Sequence, residues 1–273
     1  MLNVGFMQGR LCNKVNGKIQ AFPWDDWRSE FKLAEKLGFD LLEWTLDFDR
    51  LHENPLMTET GQNEIRCLSI EHGVNIRSLT GDCFMQAPFY KANGSFREAL
   101  LSDFKRVVEA SAGVGIKYIV VPLVDNGRLE NSSQEESLFE GIQSVLDVLN
   151  SQDIFILFES DYEPEALKNL INNYPSNVGV NYDIGNSASL GFDSEHEMLQ
   201  YGEKILNVHV KDRLLGGVTV PLGEGNANFP TIFSQLKKAN YVGDFILQTA
   251  RANDNDHVAA LSRYRKMVES WLT

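Results

Sequence analysis

The sequence predicts an α/β fold, a single (β/α)8 barrel spanning residues 1–273, and three observations lead there. Short apolar strand-like runs alternate with amphipathic helix-like stretches to give about eight β–α units. Three of the apolar runs end in an ionisable side chain: Ile154 to Phe158 in Glu159, Val178 to Tyr182 in Asp183, and Ile205 to Val208 in His209. The length of 273 residues suits one barrel, and no linker, low-complexity stretch or long charge run divides the chain. Repeated β–α alternation implies a parallel sheet, because parallel strands need crossover helices. The rival, a doubly wound open sheet, normally carries a glycine-rich phosphate turn after its first strand. Met7-Gln8-Gly9-Arg10-Leu11 has one glycine there, so the dinucleotide fingerprint is absent.

Each element follows from local pattern. Met1 to Phe6 lacks a basic region before a long apolar stretch, so it reads as the start of the first strand, centred on Val4 to Met7, and not as a secretory signal. Phe31, Ala34 and Leu37 share one helical face, which Gly38 ends before the strand Leu41 to Trp44. Ile65, Leu68 and His72 fit a helix closed by Gly73, ahead of the strand Val74 to Leu79. Leu100, Leu101, Phe104, Val107 and Val108 form one buried helical stripe; Gly113 and Gly115 end it before the strand Tyr118 to Pro122. Leu138, Ile142, Val145, Leu146 and Leu149 make the next helical face, leading to the strand that ends at Glu159. Pro164 suits a helix start, where its missing N–H costs little, and Tyr174-Pro175 ends that helix. After the strand to Asp183, Met198 and Leu199 mark a short helix before the His209 strand. Asn228 is placed to cap a helix with Ile232, Phe233 and Leu236. The last strand is Phe245 to Gln248, and a helix from about Val258 to Trp271 closes the chain.

Composition excludes several classes. No apolar run approaches the ~20 residues of a transmembrane helix. A net charge of −13 opposes nucleic acid as a main partner, since duplex binding depends on Lys and Arg displacing counterions. Cys12, Cys67 and Cys83 form no CxxC pair and no even framework, which implies reduced thiols and a cytoplasmic protein. Cys83 has no activating base beside it in sequence and reads as a packing residue.

Glu159, Asp183 and His209 are each the first ionisable group after an apolar run. One such residue is explained by a strand that has ended in water. Three, one per strand at the mouth where a parallel barrel does its chemistry, point to a shared divalent cation. Two carboxylates and one imidazole suit Mn²⁺, Mg²⁺, Co²⁺, Fe²⁺ or Zn²⁺, and ligand chemistry alone does not choose among them, although Mn²⁺ is the leading expectation on other grounds. Arg10 and Gln8 end the first strand and Glu43 the second, all expected to face the mouth. Asn186 is read as a substrate hydrogen-bonding group or a turn stabiliser, and Lys211 as a phosphate or hydroxyl ligand or a solvated lysine. The Gly223-Glu224-Gly225 loop precedes a helix and is read as an anion cradle or a tight turn. His52, His72, His196 and His257, with Trp24, Trp27 and Trp44, read as surface or packing residues.

Asp183-Ile184-Gly185-Asn186, Val208-His209-Val210-Lys211-Asp212 and Pro221-Leu222-Gly223-Glu224-Gly225 with Asn228-Phe229 resemble the xylose isomerase-like barrels. Within these, together with Met7 to Leu11 and Gly38-Phe39-Asp40 with Glu43, they look most like the sugar phosphate isomerases and epimerases, in particular the pentulose-5-phosphate 3-epimerase branch. The resemblance implies one divalent metal held by Glu159, Asp183, His209 and position 248, and a small sugar or sugar phosphate as substrate. It also implies that residues 159 and 248 flank the reacting carbon as the catalytic pair. Here the chain departs from the pattern: the family normally has a glutamate where this sequence has Gln248. An amide oxygen still binds a hard cation, but it takes up no proton near neutral pH. Glu159 alone suffices for a one-face proton transfer, and Glu43 or Asp82 is a candidate to replace the absent carboxylate in an epimerisation.

The leading expectation is therefore an isomerase or epimerase that abstracts a proton beside a metal-polarised carbonyl, with an enediolate intermediate. A polyol or keto-acid dehydratase on the same scaffold is the first alternative, and a sugar-binding protein without catalysis the second. A zinc nuclease for abasic DNA needs a basic groove, which the charge opposes. A homo-oligomer is compatible with the sequence.

Overall fold

A closed parallel barrel is what the alternating pattern builds. The computed structural model describes residues 3–272, so Met1 and Leu2 of the first apolar run lie outside it. The strands are β1 (Val4–Met7), β2 (Leu41–Thr45), β3 (Asn75–Thr80), β4 (Tyr118–Leu123), β5 (Phe155–Ser160), β6 (Val178–Asp183), β7 (Ile205–Val210), β8 (Asp212–Arg213), β9 (Thr219–Val220) and β10 (Asp244–Leu247). The barrel runs β1-β10-β7-β6-β5-β4-β3-β2 and closes on itself, while β8 and β9 make a separate antiparallel pair at its mouth. Among the described residues no helix is long and apolar enough to cross a membrane.

The helices cover the barrel because each has one apolar stripe. Trp27, Phe31 and Ala34 of the helix Trp27–Leu37 are buried, and Gly38 ends it at φ 73°, the left-handed conformation that glycine adopts without a Cβ penalty. Trp27 and Trp44 pack edge to face and are 2% and 0% exposed, so both belong to the core, as expected. The single helical face through Leu138 and Leu149 is two helices, Ser132–Gln143 and Leu146–Gln152. Val145 leaves helical geometry at φ −117°, ψ 4° between them and stays buried. Sequence periodicity passes over such a break because both halves keep their apolar face on the core.

Inside the barrel, alternate positions of the strands carry polar groups. Glu43 and Thr45, Ser78 and Thr80, Asn181 and Asp183, and Asn207 and His209 are all nearly inaccessible to solvent. Their two-residue spacing puts each pair on the same side of its strand. This polar layer is the floor on which the site stands.

Candidate active site at the carboxyl ends of the strands

Glu159 is the penultimate residue of β5, Asp183 the last of β6, His209 the penultimate of β7, and Gln248 directly follows β10. The barrel register sets Asp183 beside His209 and His209 beside Ile246, so neighbouring strands deliver their side chains to one place. Potential ligand atoms of Glu159, Asp183 and His209 lie within 4.8 Å of one another, all three residues buried. Asp183 also caps the following helix, its Oδ1 accepting from the Asn186 backbone N–H at 2.9 Å. The absence of a side chain at Gly185 lets Lys211 lie across that helix start, since a Cβ there would sit 2.8 Å from Lys211 Cγ.

The imidazole of His209 sits between two carboxylates. Its Nε2 is 2.7 Å from Glu43 Oε1 and its Nδ1 is 3.1 Å from Glu159 Oε2. Burial alone lowers the His209 pKa, but the charge of Glu43 and the hydrogen bonds to Glu159 and Glu43 outweigh it and push it up to about 10. Burial raises the Glu159 carboxyl; the hydrogen bond and charge of His209, with Lys211, overcome this and bring it down to about 2. Glu43 is lowered in the same way, burial being outweighed by the charge and hydrogen bond of His209. Burial raises Asp183 against the opposing pull of Lys211, whose Nζ is 2.5 Å from Asp183 Oδ2.

A set of amides fixes these groups. Asn186 Nδ2 donates to Glu159 Oε1 at 2.8 Å and Asn181 Nδ2 to Oε2 at 2.9 Å. Arg213 Nη1 donates to Asn186 Oδ1 at 2.8 Å, which fixes the Asn186 amide with its NH2 toward Glu159. Below, Asn207 Nδ2 donates to Glu43 Oε2 and to Asn181 Oδ1. Gln248 Nε2 donates to Gln20 Oε1 at 3.1 Å, and its own Oε1 is buried with no hydrogen-bond partner among the described residues.

These residues fit a divalent cation. Two carboxylates balance its charge and one imidazole nitrogen makes the triad a mixed O/N donor set with no thiolate to select a soft ion, while the orphaned Gln248 oxygen belongs to a residue on the same cavity wall as Glu159. Glu43 holds the far nitrogen of His209, as an outer partner of a metal-bound imidazole does.

A cavity of about 510 Å³ opens above the triad, within the range of small-molecule sites. Its walls include Glu159, Asn186, Lys211 and Gln248, and also Gln20, Asp82 and Arg213. Arg10 and Glu43 differ from the expectation that they face the mouth. Glu43 is fully buried beneath His209, bonded to Thr80, Asn207 and His209. Arg10 is 4% exposed and donates to the carbonyls of Thr249 and Ile19 and to Gln20 Oε1. Gln8 is likewise internal, accepting from the Thr45 N–H. The Gly223-Glu224-Gly225 loop has its anion built in, because Asp212 accepts from the N–H groups of Gly223, Gly225 and Ala227. Cys83 is buried, and burial pushes its thiol pKa well up. Asn181, Asn207 and Arg213 were not singled out from sequence; the polar–apolar–polar steps Asn181-Tyr182-Asp183 and Asn207-Val208-His209 were the available signal for two of them.

The family described as xylose isomerase-like TIM barrel matches residues 31–270. The chain belongs to that family. A relative of this xylose isomerase-like barrel is the L-ribulose-5-phosphate 3-epimerase UlaE of Escherichia coli (strain SMS-3-5 / SECEC), 24% identical over 260 residues with 89% of each chain covered. Among solved structures, the IolI protein with a bound zinc atom superposes with a TM-score of 0.77 at 18% identity, covering 99% of this chain and 98% of that one. A D-psicose 3-epimerase in the presence of D-fructose gives 0.74 at 16% identity, covering 98% and 99%. At such identities the structural likeness reports the xylose isomerase-like fold.

Proposed function

We propose that this chain is a metal-dependent isomerase or epimerase of a small sugar or sugar phosphate, acting by proton abstraction next to a carbonyl. One observation carries the reading: a buried Glu159, Asp183 and His209 with ligand atoms inside 4.8 Å, of which Glu159 reaches the wall of a sugar-sized cavity. The named relatives, epimerases of sugars, support it. Glu159, Asp183, His209 and the Gln248 oxygen are the groups that would hold the ion. When bound, the cation supplies Lewis-acid stabilisation to charge that develops on substrate oxygens.

The chain's own residues do the rest. Glu159 takes the proton from the carbon beside the carbonyl, and the amides of Asn186 and Asn181 aim its two oxygens. Asn186 and Lys211, both on the cavity wall, are placed to bind sugar hydroxyls. Arg10 and Glu43 serve as supports, Glu43 through His209 and Arg10 through Gln20. Residue 248 contributes an oxygen ligand and no proton.

The test is solvent exchange. Mn²⁺-loaded protein incubated in D2O with D-fructose, D-psicose or L-ribulose 5-phosphate should incorporate deuterium at the carbon beside the carbonyl. Glu159→Gln should abolish that incorporation. Loss of one water from the sugar would instead identify a dehydratase. Unlabelled, unchanged sugar with the wild-type protein would refute the catalytic reading.

A further inference from the structure

Resting on that reading, we propose that Asp82 is the second acid–base group of the site, performing on the opposite face of the substrate the proton transfer that Gln248 cannot. The two candidates raised by sequence separate cleanly in space. Glu43 lies under His209 with both oxygens engaged and is not part of the cavity wall. Asp82 is on that wall, 8% exposed, as first residue of the short helix that follows β3. Four carboxylates line the cavity, Asp82, Asp125, Glu159 and Asp161. Asp125 is exposed and Asp161 half-buried, which leaves Asp82 as the only buried one besides the metal-site base among the described residues.

A relay ties Asp82 to the position of the absent family carboxylate. Arg10 Nη2 donates to Gln20 Oε1 at 3.2 Å, and a guanidinium has donors only, so the Gln20 amide has one orientation. Its Nε2 therefore donates to Asp82 Oδ2, at 2.6 Å. Gln248 Nε2 donates to the same Gln20 Oε1, so Gln248 and Asp82 flank one amide at opposite ends. Gln20 engages Oδ2, and among the described residues Asp82 Oδ1 accepts no hydrogen bond, which leaves it for a ligand. Burial is the main cause that pushes the Asp82 carboxyl up to about 7, the Gln20 bond opposing it while Asp47 and Glu159 add to it and Arg10 opposes. A carboxyl near 7 is matched both to giving and to taking a proton at neutral pH.

The step balances. Glu159, as carboxylate, removes the proton from the carbon beside the carbonyl and leaves an enediolate. Protonated Asp82 delivers its proton to the other face of the same carbon, and the carbonyl re-forms with the configuration inverted. Glu159 then holds a proton that Asp82 lacks, and exchange with water restores both. The reverse reaction uses the two groups in exchanged roles.

The experiment compares Mn²⁺-loaded wild type with Asp82→Asn and Asp82→Glu in D2O on D-fructose, D-psicose and L-ribulose 5-phosphate, with Mn²⁺ affinity measured by calorimetry. Expected for Asp82→Asn is epimerisation lowered about 100-fold or more, the range of a positioned acid or base. Deuterium exchange into unreacted ketose by Glu159 should persist, and Mn²⁺ affinity should stay unchanged because Asp82 is not a ligand. Asp82→Glu should recover part of the epimerisation, which a folding defect does not explain. Epimerisation at the wild-type rate by Asp82→Asn overturns the proposal, as does a parallel loss of exchange and of Mn²⁺ affinity. Absence of exchange in the wild type itself overturns the functional reading and this inference with it, an outcome distinct from the other two.

Discussion

Binding of the cation should expel about one proton from His209. In the metal-free protein, Nδ1 stands 3.1 Å from Glu159 Oε2 and Nε2 2.7 Å from Glu43 Oε1. The Asn181 NH2 also lies 3.0 Å from Nδ1 and donates to the same Glu159 oxygen, and the two carboxylates favour a second proton on the ring. Without metal the ring is an imidazolium, which Glu43 and Glu159 hold against the effect of burial up to about pH 10. A metal ion needs Nδ1 bare while Nε2–H stays on Glu43. Between about pH 6 and 8, both below that pKa, each bound ion therefore releases about one proton, and affinity rises about tenfold per pH unit, ~1.4 kcal/mol. Titration calorimetry of Mn²⁺ into stripped protein, in two buffers of different ionisation enthalpy, reads the proton count directly. Glu43→Gln should reduce the count, because it removes the charge that most raises His209. Affinity independent of pH with no buffer-dependent heat would refute this account of the triad.

Three further outcomes follow from other contacts. Gln248→Glu introduces a carboxylate that aims one oxygen at Gln20 Oε1, which Arg10 prevents from turning; denaturant titration of the metal-free variant should show a loss of about 1–3 kcal/mol, and a gain would contradict the relay. Glu30, buried and accepting from the N–H groups of Gly9 and Leu11, is raised by burial from 4.5 to about 7 against those bonds, so folding binds its proton more tightly than unfolding does. Its stabilising contribution is then fully present below about pH 4.5 and is lost as pH rises through 7, a swing on the order of 3 kcal/mol that Glu30→Gln should flatten in denaturation midpoints measured at both ends. The cavity wall carries Asp82, Asp125, Glu159 and Asp161 against Lys211 and Arg213, and these cations already hold Asp183, Asn186 and the Gly217 carbonyl. A neutral ketose should accordingly surpass its 5-phosphate in kcat/KM, and the opposite order in a matched pair of substrates would show that the wall reorganises around phosphate.

What was legible in the sequence is what a single strand or helix reports about itself. Glu159, Asp183 and His209 could be found because each interrupts its own apolar run at the same end of successive β–α units, and barrel topology then does the convergence. The helix starts and stops were similarly local, as at Gly38 and Pro164. What was not legible are relations that exist only after closure. Glu43 and His209 are 166 residues apart and Gln20 and Gln248 are 228 apart, so no local pattern couples them. The end of a strand says that a side chain is near the mouth, and the two-residue alternation says which side of the strand it occupies, but neither says how deep it sits. Glu43 is third in a strand of five and Glu159 fifth in a strand of six, and that difference in height puts one below the imidazole and the other at the cavity wall. The same limit explains Arg10. Its guanidinium reads as a ligand for substrate from sequence, yet two backbone carbonyls and one amide consume it, and its influence on the site runs through the orientation it imposes on Gln20. The surroundings suit an amide at position 248, because they offer an acceptor, Gln20 Oε1, where a carboxylate would need a donor.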